Sequence, residues 1–304
     1  MATKTGPRVA IITGCSSGIG LSAAVTLAKD PAKGYIVYAT MRNVAKKDNL
    51  EKAAGATLNK TLFIIPLDVT KQDSIDNAVK VVFDKHKRID ILVNNAGHGS
   101  SGYVELVSEQ QMRQLFDTNF FGPVNLMKAV LPIMKKQRSG RIMNVSSVAG
   151  ITAWPFGEIY AASKYALEGF TESLSIGYRA FGIWVNSIQP GPVRTDFIAN
   201  MGSANNQPEF LKLAEEKNID KESREICQKV IQLLVANPNF EKENQTPEEI
   251  ANVIKESLES KKPHLRNPTS QLRYDYAKKY FVDPYGDEFC ETIVPHIIPD
   301  SLKK

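Results

Sequence analysis

Tyr160 and Lys164 stand four residues apart in Tyr160-Ala161-Ala162-Ser163-Lys164. On a helix that spacing puts both side chains on one face. A free phenol has a pKa of about 10, too high for efficient acid or base work at neutral pH. A neighbouring ammonium stabilises the phenolate and lowers that value. Such a pair can pass a proton to or from a substrate oxygen, although a tyrosine and a lysine four apart also occur by chance. Ser147, thirteen residues before Tyr160, follows the apolar run Arg141–Val145. Its hydroxyl can hold a substrate oxygen beside the phenol. Ser146 is its neighbour, and the distance to Tyr160 selects Ser147.

A second group of residues suits an anion. The run Arg8–Thr13 leads into Gly14-Cys15-Ser16-Ser17-Gly18-Ile19-Gly20, and then into a helical pattern. Glycines allow a tight turn and close approach of backbone to ligand, and a helix N-terminus offers free N–H groups and a positive dipole end. The spacing G-x-x-x-G-x-G differs from the general dinucleotide fingerprint. The turn is therefore either a pyrophosphate cradle or a glycine-rich βα turn without a ligand. An NAD site expects an acid near the end of the second strand. Here that region reads Tyr38-Ala39-Thr40-Met41-Arg42-Asn43, with no acid before Asp48. Arg42 is either a solvated charge or a fork for a 2′-phosphate. The missing acid and the arginine together favour NADP(H).

Apolar, β-rich runs at Arg8–Thr13, Tyr35–Ala39, Leu62–Leu67, Ile89–Val93, Arg141–Val145 and Ile183–Ile188 alternate with helical stretches at Ile19–Ala28, Ser74–Lys85, Glu109–Lys136 and Ile159–Tyr178. Apolar on both faces, the runs predict buried parallel strands in a Rossmann-type, doubly wound α/β sheet with right-handed crossovers. In such sheets ligands bind beyond the strands' C-terminal ends, where Ser147 falls. After Pro190 the character changes. Thr195–Lys262 is charged and helix-rich, with polar breaks at Gly202–Pro208 and Asn237–Asn244. Thr246-Pro247-Glu248-Glu249 has the pattern of a capping box with proline at the first helical position. A tyrosine-rich helix is expected around Tyr274–Tyr280. The expected organisation is a dinucleotide-binding and catalytic core over 1–195, with a helical substrate-binding extension of the same domain over 196–304. Thr195–Lys262 is expected to act as a substrate lid, with the polar breaks as hinges.

The chain has 304 residues, 42% hydrophobic and 23% charged, with 38 Lys+Arg against 33 Asp+Glu. These values exclude a disordered tail, a collagen-like repeat and a disulfide scaffold. The net charge of +5 is dispersed and forms no basic stripe, so no nucleic-acid partner is expected. Three cysteines without a CxxC or Cys/His cluster give no zinc site, and free thiols suit a reducing compartment. No signal pattern and no membrane-length apolar run is present. A cytoplasmic protein is expected, with peripheral membrane contact left open.

In their order along Pro7–Thr195, these pieces resemble the short-chain dehydrogenase/reductase family. They are TGCSSGIG at Thr13–Gly20, Asp68-Val69, NNAG at Asn94–Gly97, Asn119 in FDTNFFG, Ser147, YAASK at Tyr160–Lys164, and PGPVRT at Pro190–Thr195. The resemblance implies a triad of Ser147, Tyr160 and Lys164, completed by Asn119, which would hold a water in a relay to Lys164. Lys164 would also hold the nicotinamide ribose. The implied cofactor residues are Gly14, Ser16, Ser17, Gly18, Ile19, Gly20, Arg42, Asp68, Val69, Asn95, Ala96, Gly97, Tyr160, Lys164, Pro190, Gly191, Val193 and Thr195. Asn95 either lines that site or ties two strands together. Asp68 either meets the adenine or caps a helix.

Longer stretches, such as VYATMRN at Val37–Asn43 and FGEIYAASKYALEGFTESL at Phe156–Leu174, are similar to the branch of 17β-hydroxysteroid and photoreceptor-type retinol dehydrogenases. The branch implies NADP(H), a homodimer, and bulky apolar carbonyl or alcohol substrates such as retinoids, steroids or similar lipids. Its steroid enzyme has a histidine in the cover segment; none occurs at Ile219–Cys227 here. Beside Ser147 and Tyr160, the pocket candidates are Trp154, Phe156, Phe197, Met201 and Ile226, which are otherwise ordinary core residues. The rival function is a non-catalytic NADP(H)-binding sensor or scaffold on the same fold, which a missing tyrosine or lysine would favour.

Overall fold

The computed structural model describes residues 6–153, 156–195, 214–224, 227, 244–278 and 285. Its strands are β1 (Arg8–Ile12), β2 (Tyr35–Met41), β3 (Leu62–Pro66), β4 (Ile91–Asn94), β5 (Gly140–Val145), β6 (Ile183–Gln189) and β7 (Arg266–Pro268). Six of them are the apolar runs that the sequence singles out. All pair in parallel, in the order β3-β2-β1-β4-β5-β6-β7. The order reverses between β1 and β4, which opens a crevice at their C-terminal ends.

Helices cover both faces, so the sheet is doubly wound. On one face lie α1 (Gly18–Ala28) and α2 (Asp48–Ala54), with Ala23, Leu27, Leu50 and Ala54 packed on Ala10, Ile12, Val37 and Ile91. On the other lie α3 (Gln72–His86), α4 (Glu109–Phe116), α5 (Gly122–Gln137) and α6 (Glu158–Tyr178), with Ile75, Val82, Leu126 and Val130 against Val9, Ile11, Leu92 and Val185. The single helix expected over Glu109–Lys136 is interrupted by a π-helical turn at Asp117–Phe121. Pro123 lies at its exit. Proline has no N–H, so the Asn119 carbonyl lacks the donor that an α-helix would supply four residues on.

Residues 247–268 pack on this core. Helix α7 (Pro247–Glu259) begins with the expected capping box: the Thr246 hydroxyl accepts from the Glu249 N–H, and the Glu249 carboxylate accepts from the Thr246 N–H. Ile250, Ala251, Ile254 and Leu258 join the α1 side of the core. Ser22 donates to Glu248 at 2.9 Å, and Lys255 pairs with Asp30 at 2.8 Å. At the other end Arg8 donates to the Leu258 carbonyl and Arg141 to the Ser260 carbonyl, satisfying terminal groups of the helix. Strand β7 follows and pairs with β6. It is three residues long and ends in proline, and such a strand survives only at a sheet edge. No apolar run announces it. Helix α8 (Gln271–Lys278) lies where the tyrosine-rich helix is expected. The proposed hinge Gly202–Pro208 lies outside the described residues, as does Asn237–Asn244 apart from Asn244. Among the described residues no helix is long and apolar enough to cross a membrane.

Candidate active site

A cleft of about 1380 Å³ opens at the C-terminal ends of the strands and takes in most of the residues that the sequence picks out. Its floor is the turn between β1 and α1. Gly14 has φ +71°, and a Cβ there would sit 2.9 Å from the Ala96 Cα. At Gly20, a Cβ would lie 2.3 Å from the Gly14 carbonyl oxygen and 2.4 Å from Asn95 Nδ2. Only glycine lets helix, turn and the loop after β4 meet so closely. Ser17 occupies the N-cap of α1 but makes no side-chain cap, and the first turn holds no acid. Helix N–H groups without a side-chain acceptor, in a turn lined by Ser16, Ser17, Gly18 and Ile19, fit a pyrophosphate. Cys15 is fully buried and burial pushes its thiol up to about 12, so it is inert.

Asn95 fills the strand-tying role: its amide donates to the carbonyls of Thr13 at 2.8 Å and Gly14 at 3.2 Å. The Asn95 and Ala96 N–H groups both donate to the Thr13 hydroxyl. Asn95, Ala96 and Gly97 nevertheless line the cleft. Asp68 likewise does local work, accepting from the Thr70 N–H and hydroxyl, while it and Val69 face the cleft. Arg42, at the end of β2, is exposed in the cleft and makes no ion pair among the described residues. Pro190, Gly191, Val193 and Thr195 form the opposite wall, and a Cβ on Gly18 would lie 3.0 Å from the Thr195 methyl.

The reactive groups lie where β5 ends. Ser147 faces the cleft and its hydroxyl also accepts from the Ala149 N–H. Helix α6 presents Tyr160 and Lys164 on one face, as their spacing requires. The Lys164 ammonium is 5.7 Å from the centre of the Tyr160 ring and donates to the Val145 carbonyl at 2.9 Å. The expected lowering of the phenol's pKa by this ammonium is not what dominates in the free protein. Burial pushes Tyr160 up to about 12, opposed by its hydrogen bond with Ser147. Burial also holds Lys164 down to about 8, opposed by the Glu168 carboxylate. Desolvation outweighs the charge–charge contribution for both groups.

Asn119 sits in the π turn, buried, one loop away from Lys164. A Cβ on Gly97 would lie 3.2 Å from Asn119 Oδ1 and 3.8 Å from Lys164 Nζ. The Asn119 amide donates to the His98 carbonyl and the Ser163 hydroxyl, and its oxygen accepts from the His98 N–H. The side chain is thus committed to positioning the loop after β4. A water relay would have to use its main-chain carbonyl, whose helical donor Pro123 removes.

Of the pocket candidates, Phe156 lines the cleft and meets Tyr103 edge-on at 5.4 Å, in a cluster with Ala214, Ile219 and Cys227. Its φ is +64°, a left-handed backbone uncommon for a bulky side chain. Bonds from its N–H to Glu158 and from Gly102 to its carbonyl hold it there. Trp154, Phe197, Met201 and Ile226 lie outside the described residues. Three cleft-associated features escaped sequence reading. His98 lines the cleft between Arg42 and Lys164, and burial with those two charges holds its pKa low. Arg273 packs so tightly on Gly191 that a Cβ there would be 2.3 Å from its Nε. Glu168, one helical turn after Lys164, could have been found as a charged residue on the helix's inward face.

The chain matches the short chain dehydrogenase family over residues 8–206. It is 40% identical to retinol dehydrogenase 8 of Bos taurus over 286 residues, covering 94% of this chain and 89% of that protein. To human 17-beta-hydroxysteroid dehydrogenase type 1 it is 35% identical over 300 residues, covering 97% and 88%. A solved short-chain dehydrogenase from Streptomyces avermitilis superposes with a TM-score of 0.69 at 27% identity, covering 93% of this chain and 96% of that one. Kinship along nearly the whole chain, joined to a nicotinamide-type cleft with a tyrosine, a serine and a lysine at its reactive end, shows that this protein belongs to the short-chain dehydrogenase family, oxidoreductases that use a nicotinamide cofactor on CH–OH groups.

Proposed function

We propose that the protein is an NADP(H)-preferring dehydrogenase or reductase of a bulky apolar carbonyl or alcohol, a retinoid, steroid or similar lipid. The observation that carries this is the arrangement of the cleft: Tyr160 is bonded to Ser147 at one end, and Arg42 stands free of ion pairs among the described residues at the other. Three strand spacings separate the ends of β2 and β5 in the sheet order, about 14 Å, a span suited to an extended dinucleotide. Arg42 would grip the 2′-phosphate, the α1 N-terminus the pyrophosphate, and Lys164 the nicotinamide ribose hydroxyls. The bound cofactor supplies or accepts a hydride.

The remaining chemistry belongs to the chain. In reduction, Ser147 holds and polarises the carbonyl oxygen, and the Tyr160 phenol donates its proton to that oxygen. A phenol that burial keeps protonated suits the acid role. In oxidation, the deprotonated Tyr160 oxygen takes the alcohol proton. The Asn119 main-chain carbonyl would hold the water that reconnects Lys164 to solvent. The apolar Phe156–Tyr103 wall supports a hydrophobic substrate, and the names of the retinoid and steroid relatives point the same way. A cytoplasmic homodimer is the expected form. Exposed Phe121 and Tyr165, on the π turn and α6, offer apolar surface for pairing.

The test is oxidation of NADPH and NADH by the purified protein with retinal, a steroid ketone and a small polar aldehyde. Faster turnover of the lipid carbonyls with NADPH is expected. Preference for NADH, or for the small polar aldehyde alone, overturns the proposal.

A further inference from the structure

Beneath Lys164 lies a cluster of buried polar side chains that the proposed mechanism does not use. Glu168 follows Lys164 by four residues and Tyr160 by eight, so all three share one face of α6. Its Oε2 accepts from the Ser187 hydroxyl of β6 at 2.9 Å and lies 3.7 Å from Arg266 Nε of β7, whose guanidinium also pairs with Glu172. Burial pushes the Glu168 carboxyl up, and hydrogen bonds from Ser146, at the end of β5, Gln189, at the end of β6, and Ser187, with the Arg266 charge, oppose this by favouring the ionised carboxylate. A Cβ on Gly150 would fall 2.7 Å from the Ser146 hydroxyl, 2.9 Å from Glu168 Cγ and 3.1 Å from the Lys164 carbonyl, so the turn after Ser147 rests directly on this cluster. The charged groups facing Glu168 are therefore Lys164 from its own helix and Arg266 from β7; β5 and β6 contribute only neutral groups.

We propose that Glu168 is a positioning residue, a buried counter-charge that keeps the Lys164 ammonium protonated and anchors the Ser146–Ser147 turn to the helix carrying Tyr160. Two observations of different kind carry this: the shared helix face, and the convergence of three strand ends on one carboxylate. A buried cation at this site needs an opposing charge, because desolvation alone disfavours it. Lys164 spends its hydrogen bond on a neutral carbonyl, which supplies none. The inference rests on the catalytic part assigned above to Lys164.

The experiment compares Glu168→Gln with Glu172→Gln and wild type. Glu168→Gln preserves shape, while Glu172→Gln disturbs the same Arg266 one turn further away. The Lys164 ammonium is titrated by NMR in the cofactor-free protein, and the pH profile of carbonyl reduction is measured beside it. In Glu168→Gln the Lys164 titration and the alkaline limb of activity are both expected at lower pH, by about 0.5 to 2 units for a unit charge removed at roughly 6 Å. Glu172→Gln is expected to move neither. If the Lys164 titration stays in place in a folded Glu168→Gln protein, or moves equally in Glu172→Gln, the inference is overturned. If the titration moves but the activity profile does not, Glu168 still tunes Lys164, and it is the catalytic part assigned to Lys164 that fails.

Discussion

The two ends of the sheet are built on opposite terms. At the N-terminal ends of the strands, the arginines are tied to the chain itself. Arg8 bonds the Leu258 carbonyl and lies over Tyr35, Arg141 bonds the Ser260 carbonyl, and Arg179 lies 3.8 Å from the Trp184 ring centre. Arg88 Nη2 donates to Asp90 Oδ1 at 2.7 Å, and the other carboxylate oxygen accepts from the Val9 N–H. At the C-terminal ends, glycines replace side chains, the first turn of α1 has no side-chain cap, and Arg42 faces the cleft with no ion pair among the described residues. One end ties its arginines to carbonyls, rings and a carboxylate of the chain itself and holds the fold. The other leaves the N–H groups of the glycine turn and the Arg42 guanidinium facing the cleft, where a ligand can meet them.

Substitutions should separate the two ends. The largest expected effect is at the reactive end. Tyr160→Phe removes the phenol proton and leaves the ring packed, so turnover should fall about 10²–10⁴-fold, with thermal stability and NADPH affinity close to wild type. Turnover and the NADPH dissociation constant measured together check this, and near-normal turnover would remove the acid role. At the opposite end the signature should invert. Asp90→Ala leaves the half-buried Arg88 and the buried Val9 N–H without their partner, and a lost hydrogen bond to a charged group costs about 1.5–3 kcal/mol. Urea unfolding should show that loss while turnover per folded molecule is unchanged; a catalytic defect without destabilisation would contradict the division of labour.

Smaller effects sharpen the same contrast. Arg42→Ala should weaken NADPH by roughly 1.5–3 kcal/mol, the worth of a hydrogen bond to a charged group, and leave NADH almost untouched. Equal losses for both cofactors would locate Arg42 elsewhere than on a 2′-phosphate. The smallest effect belongs to α7. Thr246→Ala removes one half of a capping box, for about 1 kcal/mol of stability. Its consequence should be faster hydrogen exchange over 247–259 with normal turnover, since this helix is part of the core. If 247–259 exchanges as slowly in the variant as in wild type, the cap does not hold the helix.

Much of this molecule is legible along the chain. Six strands announce themselves as apolar runs, Thr246-Pro247-Glu248-Glu249 forms the capping box its pattern encodes, and Tyr160 and Lys164 share a face because four residues make about one turn. Parts of the candidate site were harder to read. Asn119 stood out, but its side chain proved committed to His98 and Ser163. Pro123 was the available signal that its backbone carbonyl differs. Strand β7 gave no signal, because Arg266-Asn267-Pro268 pairs at an edge without needing apolar side chains.

Local order therefore came from the sequence alone: periodicity, caps, glycine turns and the order of the motifs are properties of neighbouring residues. The tertiary structure decided what depends on residues far apart. It set α7 on α1, with Arg8 reaching a carbonyl 250 positions away. It placed Glu168 against the ends of β5 and β6 and against Arg266, and it turned the balance of Tyr160 from the lysine's charge to burial. Desolvation is a sum over every atom that excludes water from a group, and no spacing of four residues contains that sum.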